Sequence, residues 1–139
     1  LRLRPGASAV DVWVPADEQL AGVDGIAVLA DGAVYVNTFF AGRLFRIPVN
    51  ADGSAGTMTP IETSLPLTRP DGLRRVGPRT MVQAEGQGRV TELTIDGNRA
   101  EVRVLGEGLT GATGVTVAGN TALVLVERAR AVVVPYRQQ

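Results

Sequence analysis

The sequence repeats itself at a spacing that few architectures use. Val23-Asp24-Gly25-Ile26, Pro70-Asp71-Gly72-Leu73 and Ala112-Thr113-Gly114-Val115 share one pattern, and their glycines stand 47 and 42 residues apart. Each motif opens the same order of features: an apolar run, a turn, a second run, a loop and a third run. A strand-and-turn unit of about 40–50 residues is the signature of a β-propeller blade. Such a unit has two apolar faces that it cannot bury alone, so it must stack on its neighbours. The repeat therefore constrains the fold before any single motif is weighed.

Within the first repeat, residues 25–29 form an apolar run that stops at Asp31-Gly32, a strong hairpin signal. Strands are expected next at 33–37 and 43–47. A loop over 50–54 leads to a weaker fourth strand at 57–63. Pro60 suits an outer edge there, where a missing N–H interrupts least. The second repeat predicts strands at 73–76, 80–84, 89–95 and 100–105, and the third at 115–117, 121–126 and 131–134, with no fourth. Val10 to Val14 alternates apolar and polar residues and reads as one leading strand. No stretch combines a 3.6-residue period with helix caps. The expected fold is all-β, a propeller of four-stranded antiparallel blades near 21–64, 65–108 and 109–139, with a leading strand near 10–14. Three blades are fewer than a ring usually needs, and an open arc exposes strand edges and apolar faces. Self-association, or pairing with a missing N-terminal half, is expected. In one such arrangement the 10–14 strand of one copy completes the last blade of another.

Composition prunes the chemistry. With 14 basic and 14 acidic residues the chain has no net charge and no basic patch, which argues against nucleic acid and anionic lipid as partners. The apolar run at 131–134 is far too short to span a membrane, and a cytoplasmic location is expected. There is no cysteine, hence no disulfide, thiolate nucleophile or ordinary structural zinc site. There is no histidine, hence no Ser-His-Asp triad or imidazole base. Catalysis is left to carboxylates, amides, arginines or a hard metal ion held by oxygen. Aromatics make up only 4% of the chain, so aliphatic residues must fill the core.

In a propeller each blade's first strand lines the central channel, so equivalent positions converge on the axis. Asp24 and Asp71 are equivalents, each one residue before the repeat's glycine. Two carboxylates held close repel and call for a cation or a shared proton, and Ca²⁺ and Mg²⁺ favour such oxygen ligands. Thr113 offers a neutral oxygen at the third position. A single Asp-Gly ordinarily marks a turn, as at 31–32, 52–53 and 96–97. Recurrence at blade spacing sets Asp24 and Asp71 apart. The connections after the second strands carry Asn37, Thr38, Phe39 and Phe40, then Glu85 and Gln87, then Glu127 and Arg128. Asn37 and Glu85 read as binders of substrate hydroxyls, and Phe39 and Phe40 either as pocket walls or as packing against a neighbouring blade. Glu127 and Arg128 read as solvated loop residues, Trp13 and Tyr35 as packing residues.

The strings VDGIAVLADGAVYVNTFFAGRLFRI and RPDGLRRVGPRTMVQAEGQGRVTELTIDG, with the linking stretch NADGSAGTMTPIETSLPL, resemble the regucalcin/gluconolactonase (senescence-marker-protein) family of six-bladed propellers. Pro70-Asp71-Gly72-Leu73 followed by Gly88-Arg89-Val90 is the most specific piece. The resemblance covers residues 20–137 and corresponds to about the C-terminal half of such a protein, half of a six-bladed ring. It implies a divalent metal on the propeller axis, Ca²⁺ first, with Zn²⁺, Mn²⁺ or Mg²⁺ as alternatives. It also implies hydrolysis of sugar lactones or related esters and phosphoesters. By resemblance Asp71 is a metal ligand and the general base, and Asp24 is a metal ligand where the family usually has asparagine. The family's N-terminal glutamate ligand has no counterpart in this sequence.

Three functions stay open on the residues alone: a metal-dependent lactonase-type hydrolase, a non-catalytic propeller that binds a small molecule or protein at the same rim, and an assembly piece defined by self-association.

Overall fold

The turns marked in the sequence fold as hairpins, and they set the strand order. The computed structural model describes residues 1–126 and 130–137. Its first sheet is an antiparallel meander of β1 (Val23–Val28), β2 (Val34–Thr38), β3 (Arg43–Ile47) and β4 (Thr59–Thr63). A second meander follows, of β5 (Pro70–Arg75), β6 (Thr80–Glu85), β7 (Arg89–Asp96) and β8 (Arg99–Gly106). A third sheet holds β9 (Ala112–Ala118), β10 (Thr121–Val126) and β11 (Arg130–Pro135). A single 3₁₀ turn at Glu18–Leu20, capped by the Asp17 side chain, is the helical content among the described residues. No helix is long and apolar enough to cross a membrane.

Valine- and leucine-rich alternation gives each strand two faces, and stacking buries most of them. Between the first two sheets lie Leu29, Tyr35, Leu44, Ile61, Leu73, Met81, Leu93 and Ile95. Between the second and third lie Val82, Val90, Val124, Val126, Val134 and Tyr136. The Tyr136 hydroxyl donates to Glu92 at 2.6 Å, and Arg103 donates twice to the same carboxylate, which ties the chain's last described residues to the second sheet. The core is aliphatic, as the low aromatic content requires.

Two features depart from the expectations. First, β4 pairs in parallel with β8 through Glu62–Arg99 and Thr63–Ala100, so the first two meanders join at their outer edges into one eight-stranded curled sheet. Pro60 lies opposite Phe45, ahead of that parallel contact, where its missing N–H is tolerated. Second, residues 10–14 form no strand. They make one backbone bridge, Asp11 to Arg2, which the Arg2–Asp11 ion pair at 2.7 Å reinforces. The physical reason is the indole. Trp13 packs with Val14 and Leu20 on Val34, Val36, Phe45 and Ile47 of the first sheet, and its Nε1 donates to the Gly53 carbonyl at 2.9 Å. The leading segment thus covers the outer part of its own first sheet and leaves Val10 and Val12 in solvent.

Candidate functional site

The repeated glycines are where the first strands meet. β1 lies against β5, and β5 against β9. A Cβ on Gly25 would run into the Asp71 carbonyl oxygen and the Leu73 side chain, and one on Gly72 would sit 2.8 Å from the Thr113 carbonyl oxygen. Only glycine lets these backbones approach so closely. At the same places the ladders slip: register shifts fall between Val23 and Ile26 in β1, between Pro70 and Leu73 in β5, and opposite 112–114 in β9. Bulges of this kind re-aim side chains out of the sheet. The residues caught in them are Asp24, Asp71 and Thr113.

These three residues line one open cleft of about 450 Å³, together with Phe39, Phe40 and Arg69. Asp24 is exposed and Asp71 half-buried. Phe39 and Phe40 meet edge to face with centroids 5.3 Å apart, and the Arg69 guanidinium lies 6.0 Å from the Phe39 ring centre. Both readings of the phenylalanines have support: the two rings line the cleft, and Phe39 also packs on Gly86 and Arg69 of the second repeat. Arg69 escaped the sequence reading, although it directly precedes the Pro70-Asp71-Gly72 motif. It is the one non-glycine residue at positive φ (56°) among the described residues. Backbone strain of this kind concentrates at functional sites.

Asn37 and Glu85 do not reach the cleft as free side chains. Asn37 is the last residue but one of β2 and Glu85 the last of β6, and both are fully buried. The Asn37 amide joins two sheets: its Oδ1 accepts from Gly25 N at 2.7 Å, and its Nδ2 donates to the Asp71 carbonyl at 2.8 Å and to Gln83 Oε1 at 2.9 Å. Glu85 accepts from the Thr68 amide and hydroxyl, the Thr91 hydroxyl, Gln83 and Arg89. Burial opposes its charge, yet the bonds from Thr68, Arg89 and Thr91 prevail and hold its carboxyl below the usual range. Every polar atom of the pair already has a partner within the chain, and both side chains are built into the framework around the cleft. Asn37 acts on the site indirectly, by fixing the Gly25 and Asp71 backbones beneath the two aspartates. Gln87 is exposed, and Glu127 and Arg128 lie outside the described residues.

As a place for a divalent cation, the cleft is right in kind and short in number. Two carboxylates and a threonine hydroxyl are hard oxygen donors, but Ca²⁺ takes six to eight oxygens. Among the described residues no group of three His, Cys, Asp or Glu side chains is placed to hold a metal ion.

No family model and no curated protein sequence matches this chain. Solved structures do. A gluconolactonase from Xanthomonas campestris superimposes with a TM-score of 0.72 at 17% identity, over 96% of this chain and 42% of that one. A streptogramin B lyase gives 0.57 at 12% identity, over 89% and 44%. A virginiamycin B lyase from Staphylococcus aureus gives 0.55 at 16% identity, over 84% and 42%. The chain spans less than half the length of each of these structures. At such identities the likeness is one of fold, and that fold is the β-propeller shared by gluconolactonase and streptogramin-lyase structures.

Proposed function

We propose that this chain carries the aspartate-bearing part of a propeller hydrolase that opens sugar lactones or related esters with the help of a divalent cation, Ca²⁺ in first place. The observation that supports the reading is the convergence of Asp24 and Asp71, from equivalent bulges, into one cleft with Arg69 and two phenylalanines. Asp24 and Asp71 would hold the cation, which supplies polarisation of the ester carbonyl when bound. Its remaining ligands would come from outside this chain, in keeping with a chain that spans 42% of the gluconolactonase structure.

The residues present have clear roles in such a reaction. Asp71 takes the proton of the attacking water as its oxygen bonds to the carbonyl carbon. Arg69 faces the negative charge that then develops on the carbonyl oxygen. The ring C–O bond breaks next, and the departing alkoxide recovers the proton from Asp71, which returns to its carboxylate form. Phe39 and Phe40 shield one face of the substrate from water.

The shortage of acidic ligands favours a second reading, in which the cleft binds a polar small molecule without turning it over. Calorimetric titration with Ca²⁺ and a sugar δ-lactone hydrolysis assay, on the wild type and on Asp71→Asn, separate the two. The hydrolase reading expects cation affinity to fall about tenfold or more and hydrolysis by about 10²–10⁴-fold, the range of a general base. Unchanged affinity and turnover in Asp71→Asn would remove the basis of the proposal. Calorimetric binding of the lactone with no turnover in the wild type, with or without Ca²⁺, would establish the second reading.

A further inference from the structure

The contact between neighbouring sheets is built from a knob and a slot that recur in each repeat. The slot is the repeat's glycine; the next repeat's backbone enters it through the carbonyl of the residue before its own glycine, Asp71 on Gly25 and Thr113 on Gly72, and the residue after that glycine packs alongside as the knob. Leu73, after Gly72, sits against Gly25, and its Cβ lies 2.8 Å from where a Gly25 Cβ would be. Val115, after Gly114, packs into the cluster between the second and third sheets, and its backbone N lies 3.5 Å from the corresponding point on Gly72. The series has one unused member at each end. Among the described residues Gly114 is a slot with only the Leu125 side chain of its own sheet nearby, and Ile26 is a knob that is 63% exposed although its equivalent Leu73 is 8% exposed.

The surroundings of the two unused members match. Gly114 opens onto an almost wholly apolar groove of about 410 Å³ on the outward face of the third sheet, lined by Thr116, Leu123, Leu125 and Ala131. Register places Leu123 opposite Val133 and Leu125 opposite Ala131, so the face continues onto β11, where Val133 is 64% exposed. Ile26 is flanked by Val28, also exposed, on the face of the first sheet that points away from the second. The leading segment covers the outer part of that same face through Trp13, Val14 and Leu20 and leaves the inner strip of Ile26 and Val28 open.

We infer that the outward face of the third sheet takes the first sheet of a second copy of this chain, with Ile26 of the incoming copy seated against Gly114. The contact continues the interface already formed twice within the chain. It is head-to-tail, and a half-turn rotation closes it as a dimer with two identical contacts rather than as a filament. The third sheet has three strands among the described residues where its companions have four. The leading segment of the incoming copy, held on the outer half of its own first sheet, comes in beside β11, the edge strand of the third sheet among the described residues.

Sedimentation velocity at micromolar concentration tests the inference, with Ile26→Asp, Leu125→Asp and their equimolar mixture. Both side chains are exposed within one chain, so neither substitution buries a charge there, and circular dichroism should show unchanged strand content. The expectation is twice the chain mass for the wild type and the single-chain mass for each variant alone. In the mixture one contact keeps both native partners while the other carries both charges. The heavier species should therefore return with an affinity at least tenfold below the wild type. A wild type at single-chain mass overturns the inference. So does a Leu125→Asp that dissociates while Ile26→Asp does not, because that pattern means the third sheet pairs with its own copy face to face.

Discussion

Asn37→Ala is the sharpest perturbation of the framework beneath the cleft. The wild-type amide makes three buried hydrogen bonds that join the first two sheets at the bulges. Removing it leaves the Gly25 N–H without its partner in a region where the ladder is already interrupted. A buried orphan donor costs about 1–3 kcal/mol. The Asp71 carbonyl and Gln83 Oε1 each lose a donor, at about 0.5–1.5 kcal/mol apiece. The expected loss is about 2–6 kcal/mol, a large share of the roughly 5–15 kcal/mol of a typical domain. Equilibrium urea unfolding measures it as a drop in midpoint at constant slope. Asn37→Asp adds a diagnostic. It keeps the acceptor for Gly25 but turns a carboxylate oxygen toward two other acceptors, so its ionised form is disfavoured in the fold and its pKa there rises. Stability should then be best below the unfolded value, about 3.9, and fall as pH climbs above it. A loss under about 1 kcal/mol for Asn37→Ala, or a pH-independent deficit for Asn37→Asp, would refute the assignment of Asn37 as the tie between the sheets.

Other predictions follow from the same geometry. Gly25→Ala drives a methyl into the Asp71 carbonyl and should cost about 1–3 kcal/mol by overpacking, whereas Gly114→Ala meets only the tip of Leu125 and should leave the unfolding midpoint of a single chain nearly unchanged. Thermal and urea melts of the pair in the Ile26→Asp background, which is expected to stay a single chain, compare them directly, and equal losses there would sink the knob-and-slot description. Glu85 has a folded pKa below its usual value, so its contribution is fully present above the unfolded pKa, about 4.3, and disappears as pH falls through the lower folded value. Glu85→Gln should therefore cost about 2 kcal/mol near neutral pH, with the gap to wild type closing in acid, as urea unfolding across pH 2–7 would show. Tyr136→Phe removes the donor to Glu92 and should lower stability by about 1–2 kcal/mol, read by the same unfolding assay.

Much of the molecule was legible in the residues because its signals are local. Asp31-Gly32 and Asp96-Gly97 mark hairpins by their own backbone preferences, and the recurrence of Gly25, Gly72 and Gly114 announces the stacking that brings Asp24, Asp71 and Thr113 into one cleft. What escaped has long-range causes. Residues 10–14 alternate like a strand, but a strand needs a partner backbone, and Trp13 found a better site on the first sheet. The parallel pairing of β4 with β8 leaves no mark in either segment, because it depends on how two meanders lean together.

Asn37 and Glu85 show where sequence stops and tertiary structure decides. A polar residue beside a turn has the same local pattern whether it faces a ligand or a neighbouring backbone. Only the assembled sheets reveal that every hydrogen-bonding atom of both side chains already has a partner. The sequence by itself determined a repeating all-β chain with aspartates at equivalent positions, since period, turns and glycines act within a few residues. The tertiary structure decided which polar groups stay open to solvent, because burial belongs to the packed whole and to no single segment.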